Sequence, residues 1–353
     1  MILVAPTAFK GTLSAVAVAE AAARGASYLQ DLDVLQLPVS DGGHGLIEAL
    51  LHARGGSVHT VTVTGPLGEP TAGRVLVQKQ TAVVESADAC GLNLLRPEQR
   101  DPMQTSTFGV GELILRAAEY SDHVLVGVGG SATIDCGLGM AEALEVRLLN
   151  ENGQPVGRGG RGVLEIARIE RPATSLPRLT VLTDVRNPLF GANGAARVYG
   201  PQKGASPELI ERLDAGLERV AVIMQRDLGV DVASTVGGGA GGGLAAGLLA
   251  FAGATLTGGS AWVLEQLDFE RELARATVVV TGEGAYDAQS SMGKITGEII
   301  ERAGGRGVPV LLIAGSVTGE LPANVVAVSE GKQLTAADIE RLVRDALPRL
   351  LRH

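Results

Sequence analysis

Short apolar runs alternate with longer amphipathic stretches at both ends of the chain, and the middle follows a different pattern. MILVAP, at the start, has the length and apolarity of a buried strand. Ser14 precedes an amphipathic stretch, which predicts a helix over Ala15–Arg24 closed by Gly25. VLQLPV and LIEALLHA repeat the strand and the helix, with SDGGHG between them and Gly55–Gly56 as the stop. Two such units predict βα repeats and a parallel sheet. From about residue 60 the runs VHTVTVTG, GRVLVQK and TAVVESA are β-rich and separated by turn residues, as in antiparallel hairpins. TSTFGVGELILRAAEY predicts a helix entered through Thr105 or Thr107, and GRGGRG reads as a mobile loop. LTVLTDV is a strand ending at Asp184. Pro207 opens a long helix to about Leu228, Leu244–Leu256 is a buried helix, and SAWVLEQL is a shorter one. From Thr277 the βα rhythm returns: TVVVTGEGAYDAQSSMGK, a helix to Ala303, strands PVLLIAG and NVVAVS, and a last helix from Ala336 to Leu351. The expected fold class is therefore α/β with two domains. One is a Rossmann/flavodoxin-like parallel sheet made from both chain ends, 1–60 and 275–353. The other, 61–274, is inserted and mixed β/α.

HVLVGVGGSATIDCGLGMAEAL, His123–Leu144, reads as strand, glycine turn and helix. Glycines let the backbone turn sharply and let a ligand approach. N–H groups opening a helix suit an anion. Ser131 and Thr133 add hydroxyls, and Asp135 adds a carboxylate. GVGGSA also fits the dinucleotide fingerprint, and Glu151 lies where a ribose-binding acid would sit, so a nicotinamide-dependent dehydrogenase stands as a rival reading. GGGAGG, near residue 240, fits the same pattern without a clear strand before it.

At 353 residues and 45% hydrophobic, with aromatics at only 3%, the chain has a core built mainly from Ala, Val, Leu and Ile. The net charge of −9 argues against nucleic-acid binding. Cys90 and Cys136 are the only cysteines, which excludes a disulfide framework or a zinc cluster and fits a reducing cytoplasm. MILVAP is too short for a signal segment. Val236–Leu256 is uncharged, but its helical half is shorter than a membrane span requires.

Loops at five strand exits carry the chemistry: TAFK, SDGGHG, GGSATID, TDVRNPL and TGEGAYD. Ligands of open parallel sheets bind beyond the carboxyl ends of the strands. The acids there are Asp41, Asp135, Asp184, Glu283 and Asp287. Carboxylates in that setting suit Mg²⁺ with phosphates, and one can take a proton from an alcohol. Lysine is rare: 5 of the 30 Lys+Arg residues, the other 25 being Arg. Lys10, Lys203 and Lys294 nevertheless sit beside glycine in or near these loops, where a compact charge suits phosphate or carboxylate. No Walker A motif, zinc-protease motif or hydrolase elbow is present.

Together, APTAFKGTLSA, PVSDGGHG, TFGVGELI, GVGGSATIDCGLGM, DVRNPLFGANGAARVYGPQKGA, GGGAGGGLAAGLLAF and VTGEGAYDAQSSMGK resemble the bacterial glycerate kinase family over nearly the whole chain. The resemblance implies phosphate transfer from MgATP to D-glycerate, usually giving 2-phosphoglycerate, and a two-domain fold with its site in the cleft. The chain departs from the family's pattern at Thr7–Ala8, His44, Leu46, Ile134 and Ala285. These departures leave open a degenerate kinase that only binds a nucleotide or sugar acid.

On this reading Asp184 is the base for the substrate hydroxyl, with Lys10 and Lys294 beside it in catalysis. Asp287 and Glu283 are magnesium ligands. Lys10, Lys203 and Lys294 hold carboxylate and phosphates. Asp41, Gly129, Gly130, Ser131, Thr133, Asp135, Asn187 and Gln202 complete the substrate and phosphate site, and these carboxylate roles are interchangeable at this stage. The expected partners are ATP and glycerate, with a homo-oligomer left open. Neither nucleic acid nor membrane is expected.

Overall fold

The computed structural model describes residues 1–9, 11–29, 32–171, 176–287 and 294–351. The chain divides into two compact units, 1–55 with 259–353, and 56–258.

The first unit begins with β1 (Ile2–Val4), α1 (Ala15–Ala26), β2 (Val34–Gln36) and α2 (Leu46–Arg54). Ser14 caps α1 as its side chain implies, accepting from the N–H of Ala17. Gly25 does not stop the helix, which runs on to Ala26.

The second unit follows. It holds β3 (Ser57–Thr64), β4 (Pro70–Gln78), β5 (Thr81–Glu85), α3 (Ala87–Cys90), α4 (Phe108–Ala118), β6 (His123–Gly127), α5 (Leu138–Ala143) and β7 (Arg147–Leu149). It continues with α6 (Gly160–Glu165), β8 (Arg168–Glu170), β9 (Arg178–Leu182), α7 (Ala195–Tyr199), α8 (Pro207–Leu228), α9 (Leu244–Ala252) and β10 (Thr255–Thr257). Its six-stranded sheet has the order β10-β9-β6-β5-β4-β3. The strands from β10 to β5 are parallel, and β5-β4-β3 is the antiparallel meander expected from the alternating runs. Two expectations fail here. GRGGRG is not a mobile loop: its second half opens α6, with Gly160 and Gly162 buried, because a side chain at Gly160 would meet the carbonyl of Pro102. The buried helix α9 ends at Ala252 rather than Leu256, since Gly253 turns left-handed (φ +64°) and feeds β10.

The chain then returns to the first unit through α10 (Gly259–Gln266), α11 (Phe269–Leu273), β11 (Val278–Tyr286), α12 (Ile295–Gly305), β12 (Val310–Val317), β13 (Val325–Val328) and α13 (Ala336–Leu350). The unit therefore starts before position 275, because α10 and α11 are tied into it. Arg54 of α2 donates to the carbonyl of Gln266 and pairs with Asp268, and Arg302 and Arg306 pair with Glu270. Its sheet is fully parallel, in the order β13-β12-β11-β1-β2. Helices α1 and α13 cover it with an aliphatic core that includes Val18, Ala22, Ile339 and Val343.

Gly25 is needed where these two helices meet. A Cβ there would lie 2.4 Å from the carbonyl oxygen of Glu340 and 2.9 Å from Val343 Cβ. Gly25→Ala should gain about 1 kcal/mol of helix propensity. It should lose about 3 kcal/mol to overpacking, since the clashing atom is backbone and cannot rotate away. The expected net destabilisation of about 2 kcal/mol is measurable by urea unfolding. An unchanged midpoint would show that α13 yields freely.

Among the described residues, no helix is long and apolar enough to cross a membrane.

Candidate functional site

In the first unit, β1, β2 and β11 run parallel, so the loops that follow them leave the sheet from the same end. A cavity of about 430 Å³ opens there. Thr7 and Phe9 follow β1, and Ser40, Asp41 and His44 follow β2. Glu283 and Asp287 come from β11 and its exit, and Lys294 from the start of α12. Thr7 is fixed at its lip, its N–H and hydroxyl both donating to the carbonyl of Gly282. Asp41 closes a tight turn by accepting from the N–H of Gly43, and Gly42 and Gly45 hold left-handed conformations beside it. This turn leaves the His44 side chain exposed at the rim.

TGEGAYD was expected to leave its strand as a loop, but β11 continues through it to Tyr286 and pairs with β12 as far as Val317. Residues two apart on a strand share a face. Glu283, Ala285 and Asp287 are so spaced, and all three line the cavity. Tyr286 lies between them in sequence and is buried, its phenol pushed up by burial and by the Glu283 charge. Lys294 occupies the N-cap position of α12. Lys10 and residues 288–293 lie outside the described residues.

The expected site residues of the second unit form a different arrangement. Asp135, expected in the substrate and phosphate site, is 0% exposed. One carboxylate oxygen accepts from the N–H and hydroxyl of Thr107 and from the N–H of Gly139, and the other from the N–H of Gly137. Burial pushes its carboxyl up while these donors hold it down. Thr107, one of the two threonines expected at the entry of α4, holds its N-cap position but spends its hydroxyl here, donating to Asp135 and accepting from the N–H of Met140. Asp135 is thus the bolt between the entry of α4 and that of α5.

Lys203 is likewise not a loop lysine reaching for solvent. It is 3% exposed, and its ammonium donates to Ser131 Oγ (2.9 Å) and to the carbonyl of Thr133 (2.8 Å). Burial pushes its pKa down to about 8, opposed by nearby Cys90 and Asp135. Ser131 and Thr133 are buried with it. Gly129 and Gly130 lie at the end of β6, with Gly130 exposed and left-handed.

Asp184 sits just past β9, half-buried. Thr183 beside it is fixed by its N–H, which donates to the carbonyl of Thr257, and by its hydroxyl, which accepts from the N–H of Val185. Asn187 was expected to touch ligand, but its amide is engaged on both sides. Its carbonyl accepts from the Tyr199 hydroxyl, and its NH₂ donates to the carbonyl of Asn193. Gln202 is exposed.

The geometry does not favour the dinucleotide reading. Within GVGGSA the chain makes a bridge between Ser131 and Gly91, and α5 begins only at Leu138, with Gly137 as its cap. No helix N-terminus therefore stands directly behind that glycine turn. GGGAGG serves packing: a Cβ at Gly242 would lie 1.9 Å from the Thr133 carbonyl oxygen, and Gly241, Gly242 and Gly243 all have positive φ.

Sequence reading passed over Ser40, Thr12 and Gln333 in the cavity wall. Ser40, next to Asp41 at a strand exit, carried a usable signal. Gln333, on the approach to the last helix, carried none.

The whole chain resembles known proteins. The model of the glycerate kinase family matches residues 2–339. The glycerate kinase of Halalkalibacterium halodurans is 41% identical over 324 residues, covering 90% of this chain and 85% of the relative. The glycerate 2-kinase of Escherichia coli K12 is 41% identical over 329 residues, covering 91% and 86%. A crystal structure assigned as glycerate kinase 2 from Salmonella typhimurium LT2 superposes with a TM-score of 0.83 at 39% identity, covering 99% of this chain and 97% of that one.

Proposed function

The chain belongs to the glycerate kinase family, and from that premise we propose that it transfers the γ-phosphoryl group of ATP to D-glycerate, giving 2-phosphoglycerate. The observation that carries this reading is the charge of the cavity in the first unit. Asp41, Glu283 and Asp287 set three carboxylates against the single lysine Lys294 among its described lining residues. A phosphate or carboxylate enters such a wall only with a cation. Among the described residues no group of three or more His, Cys, Asp or Glu side chains is placed to hold a metal unaided. That donor set fits Mg²⁺, which keeps several waters and binds through one or two carboxylates plus substrate phosphates.

Glu283 on β11 and Asp287 at its exit, both in the cavity wall, are the proposed magnesium ligands. When bound, the ion neutralises phosphate charge. Lys294 and Lys10 are proposed to steady the transferring phosphate, and Asp184 to accept the proton of the attacking hydroxyl. Asp41 and Gln202 are proposed to contact substrate, and Gly129 and Gly130 to let phosphate approach the backbone. Lys203, Ser131, Thr133, Asp135 and Asn187 act one step back in this proposal, holding the loops that carry these groups. Phosphoryl transfer is mainly positioning and charge stabilisation, so such supports matter to rate.

The reading is tested by coupled ADP release over a panel of small hydroxy acids, with NMR of the product. Turnover on glycerate with phosphate at the 2-hydroxyl is expected. ATP binding without turnover on any acid would point to the degenerate kinase, and NADH fluorescence titration separates the dehydrogenase.

Lys294→Ala should lower kcat/KM about 10- to 100-fold, the worth of a charge-assisted hydrogen bond of about 1.5–3 kcal/mol. The melting temperature should hardly move, because changes at half-exposed positions stay within about ±0.5 kcal/mol. Unchanged kcat/KM would place Lys294 outside the site.

A further inference from the structure

Among the described residues the two larger sheets have four edge strands, and three of them are short: β2 and β10 have three residues each and β13 has four, while the small β7-β8 pair has three residues in each strand. The fourth, β3, has eight. Long edges invite pairing with another chain unless charge, proline or a bulge guards them. SVHTVTVT, Ser57–Thr64, holds no lysine, arginine, acid or proline.

The register tells which backbone groups face outward. Gly65 donates to the carbonyl of Glu69 at the head of the β3–β4 hairpin. Hydrogen-bonded positions alternate along an antiparallel pair. Val63, Val61, His59 and Ser57 therefore bond toward β4, and Thr64, Thr62, Thr60 and Val58 present their N–H and C=O groups to the outside. Thr64 agrees with this count, since its N–H turns away from β4 to the Glu112 carboxylate. That contact covers only the end of the edge. Val58, Thr60 and Thr62 remain, all three exposed.

We propose that this edge pairs antiparallel with β3 of a second copy of the chain, about a two-fold axis at Thr60. In that register Thr60 faces Thr60 of the partner subunit, and Val58 faces Thr62 of the partner subunit. All three pairs fall on outward-bonding positions, for about six backbone hydrogen bonds, two at each pair. The opposed side chains are β-branched and uncharged, which suits cross-strand packing. A chain of net charge −9 repels its own copy over most of its surface. The uncharged edge is a place where like meets like without that cost. An isologous contact of this kind closes on itself, as a two-fold interface must.

The test is sedimentation equilibrium of the full chain at micromolar concentration, with hydrogen exchange read at Val58, Thr60 and Thr62. The wild-type mass should be twice 36.2 kDa, with the three amides protected. Thr60→Lys sets two ammonium groups face to face, and Thr60→Pro removes an outward N–H without touching the β4 ladder. Both variants should sediment as monomers and keep their turnover, and either one suffices if the other misfolds. A monomeric wild type, fast exchange at the three amides, or variants that remain dimeric would overturn the proposal.

Discussion

Asp184→Asn is expected to lower kcat about 10²–10⁴-fold, the usual contribution of a positioned general base, while leaving ATP affinity nearly unchanged. The asparagine keeps the size and shape of the carboxylate but cannot accept the hydroxyl proton. Misplacement is a weak alternative explanation, because the backbone there is fixed from both sides. Thr183 is held by the Thr257 carbonyl and by its own bond to the N–H of Val185, and Asn187 ties the following loop to Tyr199 and Asn193. Steady-state kinetics on glycerate, with ATP affinity measured separately by calorimetry, gives the answer. If affinity falls and kcat holds, Asp184 is a nucleotide or metal ligand, and the base role passes to Asp287. Asp135 is not available for it, being sealed among Thr107, Gly137 and Gly139.

Removal of divalent metal should take turnover to background. Three carboxylates against one described lysine line the cavity of the first unit, and on the proposed function ATP would carry further negative charge into it. Coulomb repulsion between unit charges about 4 Å apart is about 4 kcal/mol at the effective dielectric of a protein surface, so an uncompensated phosphate is strongly disfavoured. EDTA-treated enzyme given metal-free ATP tests this directly, and restored Mg²⁺ should restore the rate. Full turnover without metal would remove Glu283 and Asp287 from their assigned role.

The periodic elements were legible in the sequence because their signals are local. Ser206 and Pro207 start α8, Gly229 ends it, and the span Pro207–Leu228 could be read directly. The meander β3-β4-β5 followed from alternation alone. Two misreadings share a cause, which is that tertiary packing uses the same residues as turns do. Gly25 looked like a stop, yet it is the place where α1 and α13 touch. GRGGRG looked mobile, yet its glycines admit a helix against the Pro102 backbone. The cavity wall of the first unit was legible where polarity marked a strand exit, as at Asp41 and Asp287, and Glu283, read as part of such an exit, lines it from within β11. In the second unit, residue type did not reveal burial. An aspartate after a glycine turn and a lysine between Gln202 and Gly204 both look solvent-facing, and only the fold shows Asp135 and Lys203 buried as struts.

Strand β1 lies between β2 and β11, with Ile2 level with Val278. On the ribosome β1 therefore emerges long before its neighbour β11 is made. Until β11, β12 and β13 appear, β1 and β2 have no complete sheet to join, and α1 lacks α13. The unit 56–258 is synthesised entire within that interval and carries its own core. Domains generally fold as units as they leave the ribosome. The stretch 1–55 is thus completed only when its second half, from residue 259 onward, has been made, after the other unit already has its whole core.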